Sequence, residues 1–207
     1  MKIFNKEIRI FAEKEKDKPE LTIQQSALSY LRDFVSLVVV VILVSVLLFR
    51  VVIVSGPSMK NTLVDGDWLI LLSSAVYGEP KQGDIIVASK ESFEDGEPII
   101  KRVIATEGQT VNINFSTGKV YVDGALLDEP YTLTPTNTYE GINFPIVVEK
   151  GCLFVMGDNR NSSKDSRSLE IGQIDCREVM GKAIFLVFPG KANAQDSRDF
   201  GRIGVLS

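Results

Sequence analysis

PIIKRVIAT, residues 98–106, is the stretch on which the fold turns. Its Ile99, Ile100, Val103, Ile104 and Ala105 make a strand-length apolar run rich in β-branched residues. Side chains alternate across an extended chain, which puts Lys101 on one face with Ile99, Val103 and Ala105, and Arg102 on the other. Similar short runs lie on both sides: DWLILL (67–72), GDIIVAS (83–89), TVNINF (110–115), KVYVDG (119–124), PIVVEK (145–150), CLFVMG (152–157) and KAIFLVF (182–188). Turn residues bound them, among them Asp65-Gly66, Gln82-Gly83-Asp84, Thr117-Gly118 and Pro189-Gly190. NFSTGKVYVDG reads as a hairpin turning near Gly118, and residues 128–145, with Pro130, Pro135 and Pro145, read as an irregular surface excursion. No long amphipathic helix appears after residue 55. The fold class this predicts is all-β, with antiparallel sheets forming a partly closed, barrel-like domain over 55–207.

Ahead of that domain stands FVSLVVVVILVSVLLF, Phe34 to Phe49, sixteen residues without a charge. After Arg50, VVIV carries the apolar run to Val54. A helix of sixteen residues spans about 24 Å, slightly short of a hydrocarbon core, and snorkelling Arg32 and Arg50 extend it. A cleaved signal peptide would be shorter, nearer residue 1 and followed by a small-residue cleavage site, which SGPSMKN does not offer. Residues 34–54 therefore read as a single transmembrane α-helix, a retained anchor. Seven Lys or Arg precede it, whereas only Arg50 and Lys60 follow within about twenty residues. That bias assigns 1–33 to the cytoplasm and 55–207 to the outer face. KEIRIFAEKEK in the tail is either a short amphipathic helix against headgroups or a solvated tail.

The sequence contains no histidine. Every Ser-His-Asp triad, Cys-His pair and His-bearing zinc site is thereby excluded, and a hydrolase must take its base from lysine or a carboxylate. A net charge of −4 gives no reason to bind nucleic acid. Cys152 and Cys176 each sit in an apolar stretch and read as free thiols. Nothing implies a cofactor or a metal.

Three segments carry candidate chemistry: GPSMKNTL (56–63), IIKRVIATEG (99–108) and GDNRNSSKDSR (157–167). Gly56 lets backbone approach a substrate and Pro57 stiffens the turn, so Ser58 is presented with its own N–H available to a developing oxyanion. A lysine is almost fully charged in water at neutral pH and becomes a usable base on burial. Lys101 has an apolar strand around it. Arg102 does not deprotonate, and Lys60 and Lys182 stay open as rivals on the residues alone. The last segment is dense in groups that bond their own backbone, and an Asp–Arg pair there would hold its shape.

In that order, after an apolar anchor, the three segments resemble the motifs of bacterial type I signal peptidases, Ser–Lys proteases that cleave signal peptides from exported proteins. The resemblance runs from about residue 34 to 190. It implies Ser58 as nucleophile and Lys101 as general base, with Ser163 orienting the lysine. It also implies Asp165 and Arg167 as a structural pair, and Gly157, Asp158 and Asn159 as the shapers of the turn. Gly66 and Asp67 resemble the family's Gly-Asp step. Gly56 stands where some members place a serine that supports the oxyanion hole, Asn61 where a proline is usual, and ATEGQ (105–109) where a G-x-P-G-D pattern is common. The short spacing from Lys101 to Gly157 implies that the large accessory β-domain of some members is missing. Expected partners are preprotein signal peptides emerging from the export machinery, and the lipid bilayer. A soluble self-cleaving Ser–Lys protease fits the anchor poorly. The remaining rival is a membrane-tethered, non-enzymatic β-domain that binds peptides.

Overall fold

The computed structural model describes residues 23–90, 93, 96–193 and 195–206. The two readings of the KEIRIFAEKEK tail lie outside them. The chain divides into two compact units, with the boundary between Ser45 and Val46.

Helix α1 spans Ile23–Leu48. It has no proline or glycine to break it, and Ser26–Leu48 is long and apolar enough to cross a membrane. The observed bounds differ from 34–54 at both ends. The helix starts eleven residues earlier than Phe34, and Phe49–Ile53 is not helical but strand β1. Its residues pair antiparallel with β2 (Trp68–Ser73) from Phe49↔Leu72 to Ile53↔Trp68. Arg50 accordingly sits opposite Leu71 in a sheet and does not cap the helix. The physical reason is β-branching: Val51, Val52 and Ile53 suit a ladder with an available partner as well as they suit a helix.

The second unit is built of antiparallel strands, as expected. The remaining strands are β3 (Ile85–Ser89), β4 (Pro98–Thr106), β5 (Thr110–Asn114), β6 (Lys119–Val122), β7 (Ala125–Leu126), β8 (Ile146–Val147), β9 (Cys152–Met156), β10 (Ile174–Asp175), β11 (Val179–Phe188) and β12 (Gly204–Val205). The larger sheet runs β1-β2-β11-β3-β4-β9-β10, with β12 added beside β11, and the smaller runs β7-β6-β5-β8. Neither sheet closes on itself. A helix α2 of one turn, Ser74–Tyr77, is the other α-helical element among the described residues. The expected hairpin is β5–β6, in register from Val111↔Val122 to Asn114↔Lys119.

Sheet meets sheet where Ile104, Ala105, Phe154 and Met156 of the large sheet pack on Val111, Ile113, Val120 and Val122 of the small one. A second cluster joins Met59 and Leu63, just after the GPS turn, to Leu69, Leu71, Ile85 and Ile100. Residue Ala105 departs from the simple alternation. The β4–β9 register shifts between Val103 and Ala105, and this bulge moves Ala105 into the cluster of Ile104 instead of the face of Lys101.

Candidate active site

Strand β4 is buried along most of its length, and Lys101 is only 5% exposed. Its backbone lies opposite Ile86 of β3. The expected turn begins right after β1. Gly56 adopts φ of 81°, open to glycine but strained for other residues, and its N–H donates to Asp65 Oδ1 at 2.9 Å. That amide is therefore spent on the turn. Val54 N–H to the Asp67 carbonyl and Gly66 N–H to the Val54 carbonyl tie the same turn to the start of β2. Asp67 is fully buried and receives Val64 N–H, Gly190 N–H and an Arg202 ion pair at 2.6 Å. Asn61 has φ of 104°, which a proline ring cannot adopt, so the departure from the usual proline is accommodated by a different local backbone.

Between the edge of this turn and the start of β4 lies a cavity of about 720 Å³. Residues 51–53 and 55–58 form one wall, 97–101 another, and Phe93 and Lys164 complete it. Half-buried Ser58 and buried Lys101 both open onto it. The rival lysines do not share that setting. Lys60 is exposed on its turn, and Lys182 is bound to Asp84, with its amine also facing the Tyr77 ring.

The third segment closes around Ser58 from behind. Asn159 N–H donates to the Ser58 carbonyl at 3.0 Å, and Asn159 Nδ2 to the Pro57 carbonyl at 3.1 Å. A Cβ built on Gly157 would stand 2.2 Å from Ser163 Oγ and 2.5 Å from the Ser58 carbonyl oxygen. Glycine is thus required for close approach, not for an unusual φ. Ser163 is buried, and its hydroxyl makes a long contact of 3.4 Å to the Lys164 carbonyl. Asp165 binds Arg167 through both oxygens, at 2.8 Å each, and Asp165 Oδ2 also accepts the Gly157 N–H at 3.0 Å. Both side chains are fully buried.

Asp158 does more than shape a turn. Its two oxygens accept Arg102 Nε and Nη2 at 2.9 and 2.8 Å, and Thr62 Oγ1 donates to it as well. Arg102 Nη1 reaches the Gly83 carbonyl, and its guanidinium lies 3.9 Å from the Tyr131 ring centroid. Burial pushes the Tyr131 phenol up to about 12. Arg102, Thr62 and Tyr131 went unassigned in the sequence. The one available signal was a guanidinium inside an apolar strand, which demands a buried carboxylate without saying which.

Cys152 and Cys176 are free thiols that line a second cavity of about 600 Å³, and burial pushes both up from the ordinary thiol value. This disfavours the reactive thiolate at neutral pH.

The sequence profile of "Signal peptidase, peptidase S26" matches residues 27–188. A signal peptidase I of Bacillus licheniformis is 33% identical over 80% of this chain and 91% of its own length. The probable signal peptidase I-1 of Synechocystis sp. is 40% identical over 66% and 69%, and signal peptidase I T of Bacillus subtilis 33% identical over 86% and 95%. The profile covers well over half of the sequence, and the chain belongs to the signal peptidase family, peptidase S26.

Proposed function

We propose that the chemistry of this chain runs through Ser58 as nucleophile and Lys101 as general base. The protein is a membrane serine endopeptidase, and its substrates are the signal peptides of preproteins. The observation that carries the assignment is the shared cavity: a half-buried serine hydroxyl and a buried lysine open onto one space of about 720 Å³. That space has room for several residues of an extended peptide beside β1.

In this reading the neutral Lys101 amine takes the Ser58 proton while Oγ attacks the scissile carbonyl. The amine of the leaving segment is expelled with that proton, and an acyl-enzyme ester remains. Lys101 then draws a proton from the water that attacks the ester and hands it to Ser58 Oγ as the ester C–O bond breaks, releasing the carboxyl product. Asn159 holds the Ser58 carbonyl, and Ser163 packs against Gly157 beside it, so the nucleophile sits on a fixed backbone. Gly56 serves the turn through its bond to Asp65.

The N-terminal segment is cytoplasmic in this reading and the β-rich unit extracytoplasmic, supported by the Lys and Arg excess before α1. Preproteins reach the site from the export machinery, held in the same bilayer. Purified full-length protein in detergent micelles, mixed with a signal-peptide-bearing preprotein, tests the assignment. Cleavage by the wild type and none by Ser58→Ala supports it, and cleavage by a folded Ser58→Ala contradicts it.

A further inference from the structure

Residues 128–145 contribute no strand to either sheet, yet they are fastened to the loop that carries Ser163. Asn161 is the main clasp: its side-chain oxygen accepts the Asn137 and Thr138 N–H groups, and its amide donates to Thr134 Oγ1 and the Pro135 carbonyl. Leu133 N–H reaches the Asp158 carbonyl, and Ile142 N–H the Arg167 carbonyl. Phe115 packs edge-on against Tyr139 and Phe144, at 5.5 and 5.8 Å between centroids, and holds the outer side.

This strap supplies charge. The loop buries Arg160 and Arg167 completely, and Arg102 has already taken Asp158. Arg160 Nη2 lies 2.6 Å from Glu129 Oε1, a charge pair too bent to count as a directed hydrogen bond. Arg167, bound to Asp165, also meets Glu140 Oε1 at 3.2 Å. Glu129 and Glu140 of the strap thus each meet one of the two arginines of the loop. They are not equivalent. The charged groups acting on Glu140 are Asp165 and Arg167 of the loop and Lys101 of β4, whereas Glu129 feels Arg160, Asp158 and Arg167.

We propose that Glu140 is a positioning residue for the Ser58–Lys101 pair, acting through Arg167 and Asp165. Asp165 holds the Gly157 N–H, and Gly157 stands against both Ser163 and the Ser58 carbonyl, so the link from Glu140 to the nucleophile's backbone is continuous. The charge of Glu140 also acts on Lys101. The inference rests on the serine–lysine reading above.

The test uses full-length protein in micelles with a signal-peptide-bearing preprotein. Wild type, Ser58→Ala, Glu140→Gln, Glu140→Asp and Glu129→Gln are compared for kcat, KM, melting temperature and the pH dependence of kcat. Glu140→Gln should lose about tenfold in kcat with KM little changed. Its acid limb should move to lower pH, because removing a negative charge disfavours protonated Lys101. Glu140→Asp keeps the charge and should hold the limb in place while kcat falls less. Glu129→Gln should leave the limb in place. An unmoved limb in Glu140→Gln, where Ser58→Ala is dead, overturns the proposal alone. Should Glu140→Gln fail to fold, a displaced limb in Glu140→Asp overturns it. Cleavage by folded Ser58→Ala overturns the serine–lysine reading and this proposal with it.

Discussion

Arg102 and Asp158 form a bidentate, fully buried ion pair, Nε–Oδ1 at 2.9 Å and Nη2–Oδ2 at 2.8 Å. It ties the strand of Lys101 to the loop of Ser163, one residue beyond the lysine in one direction and one beyond Gly157 in the other. Removing one partner strands a buried charge, which costs about 3–5 kcal/mol. Asp158→Asn and Arg102→Met should each lower stability by about that much in chemical denaturation and reduce cleavage with it. The double variant Arg102→Met/Asp158→Asn should lose less than the sum of the two, since no charge is left unpaired. Additive losses would show that the two side chains act separately.

Gly157 offers a steric test. Its φ is not the issue, because a methyl group there meets Ser163 Oγ at 2.2 Å and the Ser58 carbonyl oxygen at 2.5 Å. Gly157→Ala should therefore cut preprotein cleavage by about a hundredfold, the scale of a 1 Å misplacement of a reacting group. Gly204→Ala, where nothing lies within 4 Å of the new carbon, should leave cleavage and melting temperature unchanged.

Two carboxyls titrate against the usual direction. Burial raises Glu129 above the ordinary value of 4.5 despite Arg160 beside it, and burial together with the Asp165 charge raises Glu140. A raised carboxyl binds its proton more tightly in the folded chain than in the unfolded one. Its stabilising contribution is complete below pH 4.5 and is lost as pH rises through the raised value. Glu129→Gln stays neutral at every pH, so the melting temperature of the wild type should fall relative to it as pH rises through the raised value of Glu129. A wild type that gains on Glu129→Gln as pH rises would reverse the sign assigned here.

Orientation is open to a direct assay on intact cells. Seven Lys or Arg before the apolar run, against Arg50 and Lys60 soon after it, support the proposed cytoplasmic N-terminal tail. Externally added protease should digest the β-rich unit and spare a tag at residue 1. Loss of the tag with the β-rich unit protected would invert the topology.

Much of this was legible in the residues. Strand β4 and the β5–β6 hairpin announce themselves through alternation and bounding turn residues, and Gly56, Ser58, Lys101 and 157–167 are brought to one place in the fold. Phe49–Ile53 was not legible as a strand, because a short apolar run next to a long one has no period of its own. Ala105 was misplaced by a bulge, which a strict two-residue period cannot anticipate. Glu129, Glu140 and Tyr131 were hidden for another reason. Their partners Arg102, Arg160 and Arg167 lie far away in sequence, and among 27 acidic residues no local pattern marks the ones that reach a buried arginine.

The proposed Ser58–Lys101 pair is tested most directly by the preprotein cleavage rate of Lys101→Arg. Arginine keeps the charge and much of the reach but cannot give up its proton, so the rate should fall by about a thousandfold or more in a protein that melts like the wild type. Lys60→Ala, exposed on its turn, and Lys182→Ala, bound to Asp84, should retain substantial cleavage when folded. Near-normal cleavage by Lys101→Arg, with either of the other lysine variants folded but dead, would contradict the Ser58–Lys101 pair.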